Sequence, residues 1–207
     1  MSTIDKSNTK KIIILASNNK HKIEEFKQEF GSFIVYSLSD INFKEEIEET
    51  GTTFAENSLI KAHSIYNYAK ENNIEFTYIL ADDSGLCVDA LNGAPGVYSA
   101  RFSGDHDDIA NRKKLLEVMN GKTDRTAHFT CLITLMDADE NYKTFEGRCD
   151  GKILDHEEGN SDFGYNNLFY SDVLKKTFGN ASIEERVKEN HRGKAIEKVK
   201  EYLEQIK

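Results

Sequence analysis

The chain has 207 residues and a formal net charge of -9 at pH 7, which excludes broad electrostatic binding to nucleic acid or to an anionic membrane. Its composition, 38% hydrophobic and 30% charged, predicts a globular protein, and no apolar run is long enough to cross a bilayer. Three cysteines without a Cys-x-x-Cys pair favour a reduced, cytoplasmic protein. The polar residues 1–10 predict a flexible tail, and residues 11–207 predict a single domain.

The first predicted elements alternate between strand and helix. Residues 12–15 are apolar and predict a buried strand, and the capping residues 17–19 open a helix to about Phe30. Residues 33–36 predict a second strand, and a capping box opens a helix over 53–72. The inner face of that helix is predicted to carry Leu59, Ala62, Tyr66 and Ala69.

The pattern along the next part of the chain changes from helical to alternating. Residues 76–81 predict a buried strand, a Gly-rich loop follows at 91–96, and a helix is predicted over 107–119. Residues 128–136 and 142–153 then alternate as the two strands of a long β-hairpin.

The C-terminal region returns to helical signals. Ser182 and Glu185 fit a second capping box, and residues 194–206 predict an amphipathic helix. Strands that alternate with helices, together with an antiparallel hairpin, indicate an α/β fold with a mixed sheet.

The most informative stretch is the acid pair Asp82-Asp83, followed by Ser84 and Gly85, directly after the strand over 76–81. Gly85 predicts a sharp turn, which would place both carboxylates just beyond the end of a strand, where open α/β sheets bind ligands. Two adjacent acids repel each other unless a divalent cation or a shared proton neutralises them. An ordinary surface turn explains the same residues equally well, since Asp and Ser hydrogen-bond their own backbone.

Three further polar patches can meet the acid pair at one site. Residues 17–22 either cap a helix or use free N–H groups and the Lys22 charge to bind a phosphate. Residues 48–57 either complement a helix N-terminus or offer a third carboxylate. Residues 163–166 and 191–194 supply either a core phenylalanine and a solvated arginine, or an aromatic face and a His-Arg pair for a base. The four patches together favour a shared site over four independent ordinary explanations.

These patches belong to an ordered set of motifs that resembles the inosine triphosphate pyrophosphatase family, also called XTP/dITP diphosphatases. The set extends from Ile13 to the last predicted helix, and the order of the motifs makes it specific. The motifs are Ser17-Asn18-Asn19-Lys20-His21-Lys22-Ile23-Glu24-Glu25, Glu49-Thr50-Gly51-Thr52-Thr53-Phe54-Ala55-Glu56-Asn57, Ala81-Asp82-Asp83-Ser84-Gly85-Leu86, Gly93-Ala94-Pro95-Gly96-Val97-Tyr98-Ser99-Ala100-Arg101, Phe163-Gly164-Tyr165 and His191-Arg192.

The resemblance implies an enzyme that hydrolyses ITP, dITP or XTP to the monophosphate and pyrophosphate with Mg²⁺, and so removes deaminated purines from the nucleotide pool. It also implies an elongated α/β structure, with a mixed sheet, flanking helices and two lobes around a central nucleotide-binding cleft. The implied assembly is a homodimer. The expected partner is a small nucleoside triphosphate, with no nucleic acid and no membrane.

The resemblance further implies roles for the residues at matching positions. Asp83 is expected to be the proton acceptor, and Glu49, Asp82 and Asp83 the Mg²⁺ ligands. Carboxylates together with substrate phosphate oxygens are the ligands that Mg²⁺ prefers. The implied substrate-binding residues are Ser17, Asn18, Asn19, Lys20, His21, Lys22, Ser84, Phe163, Gly164, Tyr165, Asn166, Arg186, His191 and Arg192.

Within that set the resemblance separates two ends of the substrate. Asn19 and Lys22 should contact the triphosphate. Phe163 should stack on the purine, and His191 and Arg192 should read its edge.

Three positions depart from the usual pattern of the family. Asn166 and Asn167 replace an Asp-Pro pair, which affects the base end of the site more than hydrolysis. Arg186 stands where a lysine is usual, which keeps the charge but changes the geometry. Asn190 replaces a serine ahead of the His-Arg pair and is expected to cap a helix equally well.

Two other functions remain as alternatives. A pyrophosphatase of the related Maf type would act on other modified or pyrimidine nucleotides, but the Phe-Gly-Tyr motif and the His-Arg pair favour the first hypothesis. A catalytically inactive nucleotide-binding protein is expected to have lost a metal ligand, whereas Glu49, Asp82 and Asp83 are all present.

Overall fold

The computed structural model describes residues 10–206, apart from the side chain of His21. Within these residues one mixed sheet of seven strands has the order β2-β1-β3-β4-β5-β6-β7. The strands are β1 (Ile12–Leu15), β2 (Ile34–Tyr36), β3 (Tyr78–Val88), β4 (Thr126–Asp137), β5 (Tyr142–Ile153), β6 (Phe169–Ser171) and β7 (Lys176–Thr177). Strand β1 is parallel to β2 and β3, and every later neighbouring pair is antiparallel. The predicted α/β fold with a mixed sheet and a long hairpin is confirmed.

Helices flank this sheet, and their ends follow the predicted caps. They are α1 (Lys20–Glu29), α2 (Phe54–Glu71), α3 (Asp108–Val118), α4 (Ile183–Glu189) and α5 (His191–Gln205). Thr53 and Ser182 each form the predicted capping box with the glutamate three residues later. Helix α5 begins earlier than the predicted residue 194, because the Asn190 side chain accepts a hydrogen bond from Gly193 N at 2.6 Å. The cap expected of Asn190 is therefore confirmed.

The sharp turn predicted at Gly85 is wrong. Strand β3 runs without interruption for 11 residues, and Asp83 and Gly85 pair with Leu132 and Thr130 of β4. The glycine is needed for a different reason, since a Cβ there would meet the Gly96 carbonyl oxygen and the Ser99 hydroxyl. Gly85 thus allows a close approach of the 3-10 segment Gly96–Arg101 to the strand.

The core divides between the two faces of the sheet and its two ends. Along β3, even-numbered residues such as Leu80 pack toward α1 and α5, and odd-numbered residues such as Ile79 pack toward α2. A third apolar cluster around Leu86, Phe129 and Phe169 fills the far end of the long strands. This division agrees with the predicted two lobes, and the polar residues of β3 lie between them.

Two further observations concern predictions about membranes and the N-terminus. Across residues 10–206, no helix has both the length and the apolar character that a membrane span needs. The predicted N-terminal tail, residues 1–10, lies outside the described residues except for Lys10.

Candidate active site

The two adjacent carboxylates of β3 point to opposite faces of the sheet, as neighbouring residues of a strand must. Asp82 contacts Lys22 and Arg192 on the side of α1 and α5. Asp83 contacts Asn57 and Lys61 on the side of α2. The repulsion expected between the two acids is thus relieved by separate cations on each face.

Asp82 is the more deeply buried carboxylate, with 2% of its surface exposed. Its two oxygens accept hydrogen bonds from Lys22 Nζ at 3.0 and 2.8 Å, and Oδ2 also accepts from Arg192 Nε at 3.4 Å. Burial alone would raise the pKa of Asp82, but the charges of Lys22, Arg192 and Lys61 outweigh it and hold the pKa well below its usual range. Asp82 is therefore an anion at neutral pH.

Arg192 connects this ion pair to two further groups. Its Nη2 donates to Ser84 Oγ at 3.3 Å, and its Nη1 lies 3.5 Å from Glu25 Oε2. Burial raises the pKa of Glu25, and the Arg192 charge opposes that rise. The second oxygen of Glu25, Oε1, is buried without a hydrogen-bond partner among the residues that the structure describes.

On the opposite face, one ammonium group bridges two carboxylates. Lys61 Nζ lies 3.2 Å from Glu49 Oε1 and 3.4 Å from Asp83 Oδ1, while Asn57 Nδ2 donates to Asp83 Oδ2 at 3.2 Å. Burial raises the pKa of Asp83, Lys61 lowers it, and the nearby Glu49 charge raises it again, with a net rise. Asp83 is consequently a better proton acceptor than Asp82.

The donor set of Glu49 and Asp83 suits a divalent cation. Two carboxylates already hold one cation between them, and Mg²⁺ commonly takes one or two carboxylates and completes its shell with water and phosphate oxygens. No group of three potential ligands from His, Cys, Asp and Glu is found within the described part of the chain. Asp82, expected as a third ligand, is not brought together with Glu49.

A cleft of about 340 Å³ opens on the α1 and α5 side of the sheet. It lies between α1, the junction of α4 with α5, and the loop that carries Phe163. Predicted substrate-binding residues that line it are Asn19, Lys22, Phe163, Asn166, Arg186, His191 and Arg192.

Two side chains of α3 hold the turn that carries Phe163. Gly164 has a φ of 53°, in the left-handed region that favours glycine. Its N–H donates to Asp108 Oδ2 at 2.8 Å, and its carbonyl accepts from Arg112 Nη1 at 2.9 Å. The Phe163 residue itself is 50% exposed in the cleft. Tyr165 turns the other way, into the core, where its hydroxyl donates to the Ser99 carbonyl at 2.8 Å.

The other cleft residues that the sequence assigned to a base contact neutral groups. Asn166 Nδ2 donates to Ser161 Oγ at 3.0 Å, and Arg186 Nη1 donates to the Phe178 carbonyl at 3.3 Å. His191 stacks on Phe129 with ring centroids 4.9 Å apart. Burial lowers the pKa of His191 well below its usual range, so the ring is neutral. Its buried Nδ1 has no hydrogen-bond partner among the described residues.

Some of the predicted substrate-binding residues in the loop between β1 and α1 hold the loop in place, and others line the cleft. Asn18 Oδ1 accepts from Ser39 N and Oγ at 3.0 and 2.8 Å, and Ser17 Oγ accepts from Asn19 N at 3.1 Å. Asn19 caps α1 through Lys22 N and also lines the cleft. Lys20 is exposed at the start of the helix, and the side chain of His21 lies outside what the structure describes.

Three site residues were not predicted from the sequence. Lys61 and Asn57 lie on the buried face of α2, together with Ile65, whereas the predicted Leu59 is only partly buried. The available signal was their spacing of four residues, which puts two polar side chains on one helix face. Glu25, three residues after Lys22, carried the same kind of signal on α1.

Comparison with known proteins places this arrangement among related chains. Residues 13–202 match the model of the Ham1 family. A dITP/XTP pyrophosphatase of Campylobacter jejuni subsp. doylei is 42% identical over 91% of this chain and 94% of its own length. One from Desulfotalea psychrophila is 45% identical over 94% of this chain and 86% of its own. The Ham1 protein of Staphylococcus aureus is similar in structure, with a TM-score of 0.86 at 41% identity, over 95% of this chain and 100% of that one.

Proposed function

Since the chain belongs to the Ham1 family, we infer that its site hydrolyses deaminated purine nucleoside triphosphates (ITP, dITP and XTP) to the monophosphate and pyrophosphate. The resemblance found in the motifs is confirmed by this membership. The observation in the molecule that carries the proposal is the pair of charged groups on the two faces of β3. Glu49, Lys61 and Asp83 lie on one face, and Lys22 and Arg192 line the cleft on the other. Carboxylates for a cation and a proton are thus separated by a single strand from cations for phosphates.

Asp83 is proposed to accept a proton from the attacking water. Its raised pKa makes it the stronger base of the two aspartates, and a positioned general base commonly contributes about 10²–10⁴-fold to a rate. Asn57 orients its carboxylate by donating to Oδ2 at 3.2 Å.

Glu49 and Asp83 are proposed to hold Mg²⁺. The cation supplies charge neutralisation at the phosphates when it is bound. Lys61 is then free to serve a phosphate oxygen, since its ammonium otherwise occupies the space between the same two carboxylates. Asp82 is left out of this ligand set because it lies on the opposite face of β3.

The triphosphate is proposed to pass around the open edge of β3. Strand β1 pairs with β3 only as far as Leu80, and β4 is the one neighbouring strand of β3 beyond that point within the described residues. Lys22, Asn19 and Ser84 lie on the cleft side of this edge, and Lys61 lies on the other. A chain of three phosphates therefore meets cations on both faces.

The purine is proposed to occupy the far end of the cleft. The exposed Phe163 ring offers a stacking surface, and Arg192, Arg186 and the neutral His191 offer donors for a carbonyl oxygen. Asn166 faces the same space with an amide. Gly164 and Tyr165 support this end by shaping the turn.

The wider setting follows the same proposal. Residues 11–207 are proposed to act as one catalytic domain, since the family match covers residues 13–202 and one sheet joins strands from Ile12 to Thr177. A cytoplasmic setting suits the three free thiols. A homodimer is supported by the open face of β5, where the exposed Glu146, Arg148, Asp150 and Lys152 alternate in sign and can pair with an antiparallel second copy. Light scattering gives the mass that tests this.

A substrate panel tests the function directly. Pyrophosphate release with Mg²⁺ is measured as kcat/KM for ITP, dITP, XTP, GTP, ATP and dTTP, and we expect the first three to lead. A lead by dTTP would favour the Maf-type alternative. Nucleotide binding without any release would favour the inactive alternative.

A further inference from the structure

Among the residues that the structure describes, Asp82 is the least exposed charged one, and its ion pairs there do not include the groups proposed to hold the metal. It is 2% exposed and faces away from Glu49 and Lys61. Its carboxylate touches one cation from each of two helices, Lys22 of α1 and Arg192 of α5. These two cations line the same cleft.

Resting on the proposed function, in which Lys22 serves the triphosphate and Arg192 the purine, we propose that Asp82 is a positioning residue that fixes these two cations relative to each other. It acts through them and binds neither substrate nor metal. One buried carboxylate thereby sets the positions of the cation for the triphosphate and the cation for the purine.

The contacts of Lys22 support this role. Both Asp82 oxygens accept from its ammonium, and Asp82 is its one ion-pair partner among the described residues. The Lys22 side chain is 20% exposed, so without Asp82 it would gain the freedom to extend into solvent. Holding a long side chain in one place before the phosphate arrives reduces the entropy lost on binding.

The contacts of Arg192 support it as well. The Asp82 bond to Nε leaves Nη1 and Nη2 for Glu25 and Ser84, so the planar group is held along three directions. Asp82 itself is held by the β3–β4 pairing, in register with Ile133. A carboxylate on a paired strand is a more rigid reference point than one on a loop.

The experiment compares Asp82→Asn with Asp83→Asn. These two variants are a matched pair, because they make the same substitution on opposite faces of β3. Inorganic triphosphate probes the phosphate end, inosine probes the base end, and the rise in Tm on adding MgCl₂ probes the metal end. Asp82→Asn is expected to lower the affinity for both inorganic triphosphate and inosine by about tenfold or more, which is the effect of losing a charged hydrogen-bond partner. The rise in Tm on adding MgCl₂ should be kept in this variant. Asp83→Asn is expected to lose the MgCl₂ response and keep the affinity for inosine. Lys22→Met is expected to weaken inorganic triphosphate alone.

Three outcomes would overturn the positioning role. The first is a folded Asp82→Asn protein that binds both probes as the wild type does. The second is a folded Asp82→Asn protein whose affinity falls for one probe alone. The third is loss of the MgCl₂ response in Asp82→Asn, which would make Asp82 a metal ligand. If Asp82→Asn does not fold, Asp82→Glu keeps the charge but displaces it by one methylene, and the same weakening of both probes is expected.

The proposed function is judged separately. Wild-type protein that binds both probes but releases no pyrophosphate from ITP would overturn the function and leave the positioning role standing. Wild-type protein that binds neither probe would overturn both.

Discussion

The proposed phosphate end of the site and the proposed base end are built in different ways. At the phosphate end, Glu49, Lys61, Asp82 and Asp83 form ion pairs, and three of them sit on α2 or β3. At the base end, Phe163 lies on a loop that is held through the Gly164 backbone by two charged side chains of α3, Asp108 and Arg112. Since the ion pairs of the first end join the proposed reacting groups to one another, changes there should alter rate and stability. The contacts of the second end only position a loop, so changes there should alter selectivity.

The largest effect is expected for Asp83→Asn. Removing the proposed proton acceptor should lower kcat for ITP by about 10²–10⁴-fold in saturating Mg²⁺. Burial raises the pKa of Asp83 and so disfavours its charged form, and Lys61 keeps Glu49 as an ion-pair partner in the variant. The neutral variant should therefore keep its Tm at pH 7 in EDTA. Near wild-type turnover would remove Asp83 from the chemistry, and a lowered Tm would show that its charge supports the fold.

Asp82→Asn should have the opposite effect on stability. Removing one partner of a buried ion pair costs about 3–5 kcal/mol of the free energy of unfolding at neutral pH. The folded pKa of Asp82 lies below its unfolded value, so its contribution is present above about pH 4 and fades as the pH falls through the folded pKa. The difference in the free energy of unfolding between wild type and variant, measured by denaturant unfolding, should therefore decrease below about pH 4. A difference in the free energy of unfolding that stays constant down to pH 2 would contradict the stabilising role of this ion pair.

The base end offers a smaller change at Arg112. Arg112→Leu removes the donor to the Gly164 carbonyl and leaves Glu157 without that partner. The Phe163 turn should then loosen, with KM for ITP rising by about tenfold and kcat nearly kept, since a charged hydrogen bond is worth about 1.5–3 kcal/mol. Asp108→Asn is the matched control, because the amide oxygen can still accept from Gly164 N. Equal losses in kcat and in Tm would mean that α3 supports the whole fold and not the turn.

The smallest effect is expected at Asn166. A carboxylate can only accept a hydrogen bond, whereas the amide accepts or donates, and a 6-oxopurine offers N1–H as a donor where adenine has a bare nitrogen. Asn166→Asp should therefore raise the ratio of kcat/KM for ITP to that for ATP several-fold. An unchanged or lower ratio would leave Arg192 as the reader of the base.

The sequence predicted best what local chemistry determines. The capping boxes at Thr53 and Ser182 depend on residues three apart, and both are present. The turn at Gly85 was wrong because the continuation of β3 is decided by β4, a strand distant in the chain. Lys61 was missed since a helical lysine is usually solvated, and only the fold reveals the two acids around it.

The assignments at the base end depended on the resemblance more than on spacing. Phe163 and Asn166 do line the cleft, but nothing local in the Phe-Gly-Tyr motif shows which ring faces it. The burial of Tyr165 follows from the hydroxyl bond to Ser99, a residue in a separate motif. Such long-range pairings are set by packing and are absent from any single window of sequence.

The unbroken course of β3 restricts where this chain can change length. Because successive residues of a strand alternate between faces, inserting or deleting one residue between Leu80 and Leu86 would exchange the surroundings of Asp82 and Asp83. Asp82 would then face α2, and Asp83 would face α1 and α5. Insertions and deletions should abolish activity there and be well tolerated at the exposed positions 139–141 of the hairpin tip, where inserted tags or domains can be accommodated.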